Sequence, residues 1–188
     1  MLSLNPNEEV KEPEERKEGV SVGIFKIDVE NLHWMSSMDE NVDLCAHGHA
    51  KAQIGEEIFE YDATVSATAL FLLKSIQEDH IIYKDNQMLP CCGFFYIADE
   101  KLENVAISGC PNGIDWTVLH EGENIRLITE LEQEESVSLE EYREEVFRFA
   151  DKVEAFYKVS LPKKIPEDEF GKNGYITFWN EWHRRRKI

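Results

Sequence analysis

Three side chains with metal-ligand chemistry alternate along one stretch of the chain: Cys45, His47 and His49 occupy every second position within residues 42–54. Alternation along an extended strand sends residues i, i+2 and i+4 to one face. A thiolate and two imidazoles form a donor set that suits zinc. A tetrahedral site needs a fourth ligand, which Asp43 could supply from the same face, or Cys91, Cys92, Cys110, His80 or His120 from a neighbouring strand or loop. The C-x-H-x-H spacing lacks the paired spacing of structural zinc sites. The competing reading is a polar strand face whose histidines are hydrogen-bonded.

A second chemistry belongs to Pro90-Cys91-Cys92-Gly93, where a thiol could act as nucleophile with a histidine as base. No helix N-terminus or basic neighbour in sequence is present to lower a thiol pKa there. Strand alternation would put one of the two sulfurs into the core and the other outside, and adjacent cysteines bridge only with strain. Asp115 and His120 share one strand-like segment but fall on opposite faces by parity, so they make no dyad. Neither G-x-G-x-x-G nor a P-loop is present to cradle phosphate. No catalytic residue is assigned, and zinc on Cys45, His47 and His49 is the one cofactor in play.

The elements that must position these residues follow from periodicity. Residues 20–29 are strand-like, with a change of apolar phase between Ile24 and Phe25 that a bulge or a strand buried on both faces would accommodate. In residues 42–54 the even positions are apolar or small and the odd positions polar, the pattern of a half-buried strand. A turn at Gly55-Glu56-Glu57 leads to a partner strand over 58–61. Asp62 is placed to cap a helix reaching Gln77, apolar around most of its circumference and therefore buried. Ala46, Gly48, Ala50 and Ala52 would let that helix approach closely. Strands over 93–98, 104–108, 114–120 and 124–130 read as a meander, with Pro111-Asn112-Gly113 turning between the second and third. Ser138-Leu139-Glu140-Glu141 has the capping-box pattern and opens a helix with one apolar stripe. A last helix from about Asn173 carries Tyr175, Phe178, Trp179 and Trp182 at helical spacing and ends in Arg184-Arg185-Arg186-Lys187. Trp179, Trp182 and the terminal cations could bind a partner; the stronger reading is a core-facing aromatic stripe, with the terminal cations complementing the helix dipole.

The expected fold is α+β: an antiparallel sheet of about six or seven strands, one buried helix and two C-terminal helices. Residues 1–19, with six Glu, two Pro and almost no apolar content, are expected to be a disordered acidic arm preceding one domain over 20–188. The absence of an apolar signal region or of an apolar run long enough to span a bilayer predicts a soluble, cytoplasmic protein. Four cysteines in 188 residues fit a reducing compartment, with the thiols buried as small hydrophobes.

Charge is the most usable functional clue. The chain carries 38 acidic and 20 basic residues, a formal charge of −18 at pH 7. A nucleic-acid backbone or an anionic membrane would meet its own sign, so neither is an expected partner. The excess is uneven. Residues 121–154 hold twelve Asp/Glu and four Lys/Arg, and residues 28–60 hold eight acidic side chains and only Lys51. Such a field steers a cationic protein to the surface. In size, charge and mixed architecture the chain resembles bacterial immunity proteins, small acidic proteins that neutralise basic nuclease toxins. The resemblance carries no motif, and no residue role is transferred from it. A noncatalytic binding protein for a basic partner is therefore the first expectation, with Glu132, Glu134, Glu135, Glu140, Glu141, Glu144 and Glu145 as contact residues. The alternatives are a metal protein built on Cys45, His47 and His49, and a small-molecule domain with Trp116 and tyrosines lining its pocket.

Overall fold

In a computed structural model describing residues 23–35 and 39–187, the apolar residues alternate from the first strand onward. β1 (Phe25–His33) buries Phe25, Ile27 and Val29 and turns the intervening side chains outward. Ile24 points outward, so the phase change expected there does not need a bulge. The register shift falls at the other end of the strand, between Glu30 and His33, where Asn31 takes φ +53°. The acidic arm expected over 1–19 and the start of the strand expected over 20–29 lie outside the described residues.

β2 (His47–Ile54) pairs antiparallel with β1 and with β3 (Glu57–Ala63). Its inner face is Gly48, Ala50, Ala52 and Ile54, and this small surface admits the helix that follows. That helix, α1 (Val65–Ser75), starts after Thr64 rather than at Asp62, because β3 keeps pairing as far as Ala63 opposite Gly48. Nine of its eleven residues are buried. A helix apolar around most of its circumference must have neighbours on most sides, and α1 touches β2 on one side, a short strand at residues 89–90 on another, and the two later helices.

The expected meander is divided. β4 (Leu89–Pro90) pairs with β7 (Gly113–Ile114), β5 (Phe95–Ala98) with β6 (Val105–Ser108), and β8 (Trp116–Glu121) with β9 (Asn124–Thr129), which also pairs with β10 (Glu134–Ser138). Among the described residues the fold is α+β as expected, with antiparallel strands, one mid-chain helix and two C-terminal helices, and the strands are divided over two three-stranded sheets and two short ribbons rather than one continuous sheet. The division comes from the segment containing Pro111, Asn112 and Gly113. Its backbone groups go to β4 and Cys91, whose N–H donates to Asn112 O at 2.9 Å, and β6 does not run on into β8 as a hairpin. Trp116 joins the two larger sheets by packing against Phe25 and Phe59, each with centroids 6.4 Å away.

α2 (Leu139–Val159) begins with the expected capping box: Ser138 accepts from the Glu141 N–H while the Glu141 carboxylate accepts from the Ser138 N–H. Tyr142, Val146, Phe149, Ala150 and Val153 form its buried stripe against β1 and α1. α3 (Glu169–Arg185) starts earlier than expected, capped by Asp168, whose carboxylate accepts from the Gly171 N–H at 2.7 Å. It lies on β5 and β6 with Phe178 and Trp182 fully buried and Trp179 partly so. Gly174 permits this docking: a Cβ there would sit 2.1 Å from the Tyr96 carbonyl oxygen. Among the described residues no helix is long and apolar enough to cross a membrane.

Candidate functional site

Cys45, His47 and His49 do not converge. Cys45 precedes β2 and is buried, its Sγ 3.5 Å from the Gly93 carbonyl oxygen and 3.3 Å from the Tyr96 hydroxyl, and burial pushes its thiol up to about 12. His47 lies half-buried beside His33 and Phe94, with burial holding its imidazole below the ordinary value. His49 is held at 2.8 Å by Asp62 from β3, and this hydrogen bond raises its pKa. The side chains named as a fourth ligand are also engaged elsewhere. The Asp43 carboxylate accepts from the Met35 and Cys45 N–H groups. His80 and Asp115 form a buried pair at 2.7 Å, and His120 pairs with Asp79 at 2.8 Å. Asp115 and His120 accordingly have separate partners, although not by parity, because Asp115 lies in the break between two strands rather than on the strand of His120.

The other three cysteines are not buried as expected. Cys91 is exposed and Cys92 and Cys110 are half-buried. Their sulfur atoms all lie within 4.8 Å of one another. The parity argument for Cys91 and Cys92 fails because β4 ends at Pro90, leaving no strand along which they could alternate. Cys110 comes from the loop after β6, and its N–H donates to Cys92 Sγ at 2.9 Å. Hydrogen bonds from the Cys92 thiol, the Asn112 backbone and the Cys91 thiol hold Cys110 down at about 7. The Cys91 thiol is raised mainly by its hydrogen bond to Cys110, and Cys92 mainly by burial.

The acidic candidates fall into two groups at opposite ends of β10. Glu132, Glu134 and Glu135 belong to the β9–β10 turn and the strand after it. This turn lies against the β2–β3 turn: Glu57 accepts from the Thr129 hydroxyl at 2.9 Å, and the space beside Gly55 is filled by the side chains of Gln133 and Glu135. The two acidic stretches of sequence therefore meet, bringing Glu56 and Glu57 to the same end as Glu130, Glu132, Glu134 and Glu135. Glu140, Glu141 and Glu144 occupy the first turns of α2, where the N–H dipoles favour carboxylates. The Leu139 N–H donates to Glu123 O, so Glu121 and Glu123 join this second group. Between the groups, on the outward face of the sheet, Arg126 is clasped by Glu121 and Glu134. Glu145 must be removed from the contact set. It is 6% exposed and is bound by Lys26 at 2.8 Å and by Arg148.

The C-terminal cations are directed inward or onto acidic neighbours. Arg185 is buried and pairs with Glu181 and Glu78, Arg186 pairs with Asp151, and Arg184 donates to the Glu103 carbonyl and Asn104. Trp116 is fully buried, packed against Phe25 and Phe59. A cavity of about 350 Å³ between α2, α3 and the segment joining them is lined instead by Tyr157, Tyr175 and Trp179, with Lys158, Lys163 and His183 at its edge. No family model, curated protein or solved structure matches the chain.

Proposed function

We propose that this is a noncatalytic cytosolic binding protein whose acidic rim receives a cationic protein, in its concrete form an immunity-type inhibitor of a basic toxin such as a nuclease. The observation that carries this reading is the meeting of the β2–β3 and β9–β10 turns. It gathers carboxylates from both acidic stretches beside a sheet face whose one arginine, Arg126, is already bound on two sides. Among the described residues, Lys26, Lys152, Arg185 and Arg186 are each paired with a carboxylate outside this rim, so these four cations do not offset it. A field of one sign raises association rates with an oppositely charged protein and gives those rates a steep salt dependence.

The test is affinity isolation with the full chain from extracts of the source cell, at low and at moderate salt. A protein of basic isoelectric point should be retained at low salt and released as salt rises, and its nuclease activity should fall when the complex forms. Recovery of no basic protein at either salt would overturn the reading.

A further inference from the structure

We infer that Cys91, Cys92 and Cys110 form a binding site for a thiophilic d¹⁰ metal ion, with three thiolate ligands and one coordination position left to solvent. This site is independent of the acidic rim and goes beyond the binding role proposed for it.

The three sulfurs are already within 4.8 Å of one another. Metal–sulfur bonds of about 2.3 Å in tetrahedral geometry require sulfurs roughly 3.8 Å apart, so closure asks for movements of about 1 Å or less. Backbone interactions fix the two loops that carry them. The Thr64 N–H donates to Pro90 O at 3.0 Å, the Cys91 N–H to Asn112 O at 2.9 Å, and the Leu89–Ile114 pair closes the ribbon below. Gly109 lets the second loop approach: a Cβ there would lie 2.1 Å from the Cys92 carbonyl oxygen. The Cys110 N–H already points at Cys92 Sγ, the outer hydrogen bond that stabilises a thiolate ligand.

Ligand type narrows the ion. Among the described residues this is the only cluster of three or more His, Cys, Asp or Glu donors close enough to share an ion, and all its donors are sulfur. Soft thiolates select zinc and copper(I) over magnesium or calcium. Exposure of Cys91 gives the ion a route in. On binding, three metal–sulfur bonds form and each sulfur that is still a thiol loses its proton to solvent, up to three protons in all, so no oxidant is required.

Fully reduced full-length protein should be titrated without oxygen, in separate arms with zinc(II) and copper(I), against a chromophoric chelator. Iodoacetamide footprinting should accompany each arm. The expected result in at least one arm is one ion per chain, with protection of Cys91, Cys92 and Cys110 that a strong chelator reverses. The arm that protects identifies the ion. Cys110→Ser should weaken binding by at least the ~10–100-fold that loss of an outer-shell partner costs, while Cys45→Ala should leave affinity unchanged. Protection in neither arm would overturn the site, as would undiminished binding by both Cys110→Ser and Cys91→Ser. The wild-type footprint decides the matter even if a variant misfolds.

Discussion

Glu181 holds the C-terminal helix to the body, and replacing it with leucine is the sharpest test of that arrangement. Its carboxylate is fully buried. It accepts from the Val105 N–H at 2.8 Å and from Arg185 Nε at 3.0 Å, and lies 3.3 Å from Lys74 Nζ. Glu181→Leu leaves Arg185, 4% exposed, without its main counter-charge and leaves the Val105 N–H unpaired. Removing one partner of a buried ion pair costs about 3–5 kcal/mol. Arg185 retains Gln77 and Glu78, and Lys74 retains the Val105 carbonyl, which places the expected loss near 3 kcal/mol, the lower end of that range. At this chain length that corresponds to a fall in Tm of about 6–12 °C. Urea unfolding should show a lower midpoint with an unchanged slope. Glu181→Leu combined with Arg185→Met should recover most of the loss, because the uncompensated charge is then gone. A single variant within about 1 kcal/mol of wild type, or a double variant no more stable than the single, would refute the electrostatic account of this contact.

Other outcomes follow from the same geometry. Gly174→Ala should destabilise by about 1–3 kcal/mol, since the new methyl group must displace helix or strand at the Tyr96 carbonyl, and thermal melting reads this directly. Ser138→Ala removes the acceptor that caps α2 and should cost about 1 kcal/mol in denaturant unfolding. Alkylation of Cys110 in the metal-free protein should follow a titration centred at about 7, because its hydrogen bonds favour the thiolate. Its rate should level off above that pH and fall about tenfold per unit below it. Cys45, pushed up to about 12 by burial, should react only on unfolding.

Local pattern carried far where structure is local. The alternation of residues 47–54, the largely apolar α1, the capping box at Ser138 and the aromatic stripe of α3 each arise from contacts whose periodicity is written in a dozen residues. The same logic failed where a strand was shorter than assumed. Parity separated Cys91 from Cys92, but the two-residue β4 ends before them, and Cys110 arrives from a loop 18 residues beyond Cys92. The paired contexts Cys-Cys-Gly and Gly-Cys-Pro were the available signal, since glycine beside cysteine permits close approach of two loops. Cys45, His47 and His49 misled for the converse reason: β2 begins at His47, so the alternation does not extend back to Cys45. Acidic excess was visible as a count, whereas the contact between the Gly55 and Gln133 turns is non-local, and burial of Glu145 depends on Lys26, 119 residues away in sequence.

The association rate of the captured basic partner tests the central claim most directly, measured across a salt series with wild type and with a variant carrying Glu130→Gln, Glu132→Gln and Glu134→Gln. These side chains are exposed, so the variant should keep the wild-type fold. Steering by the rim predicts a rate that falls steeply with salt for wild type and is about tenfold or more slower for the variant at low salt, with little change in dissociation. Equal association rates for the two proteins, insensitive to salt, would contradict the assignment of the acidic rim as the docking surface.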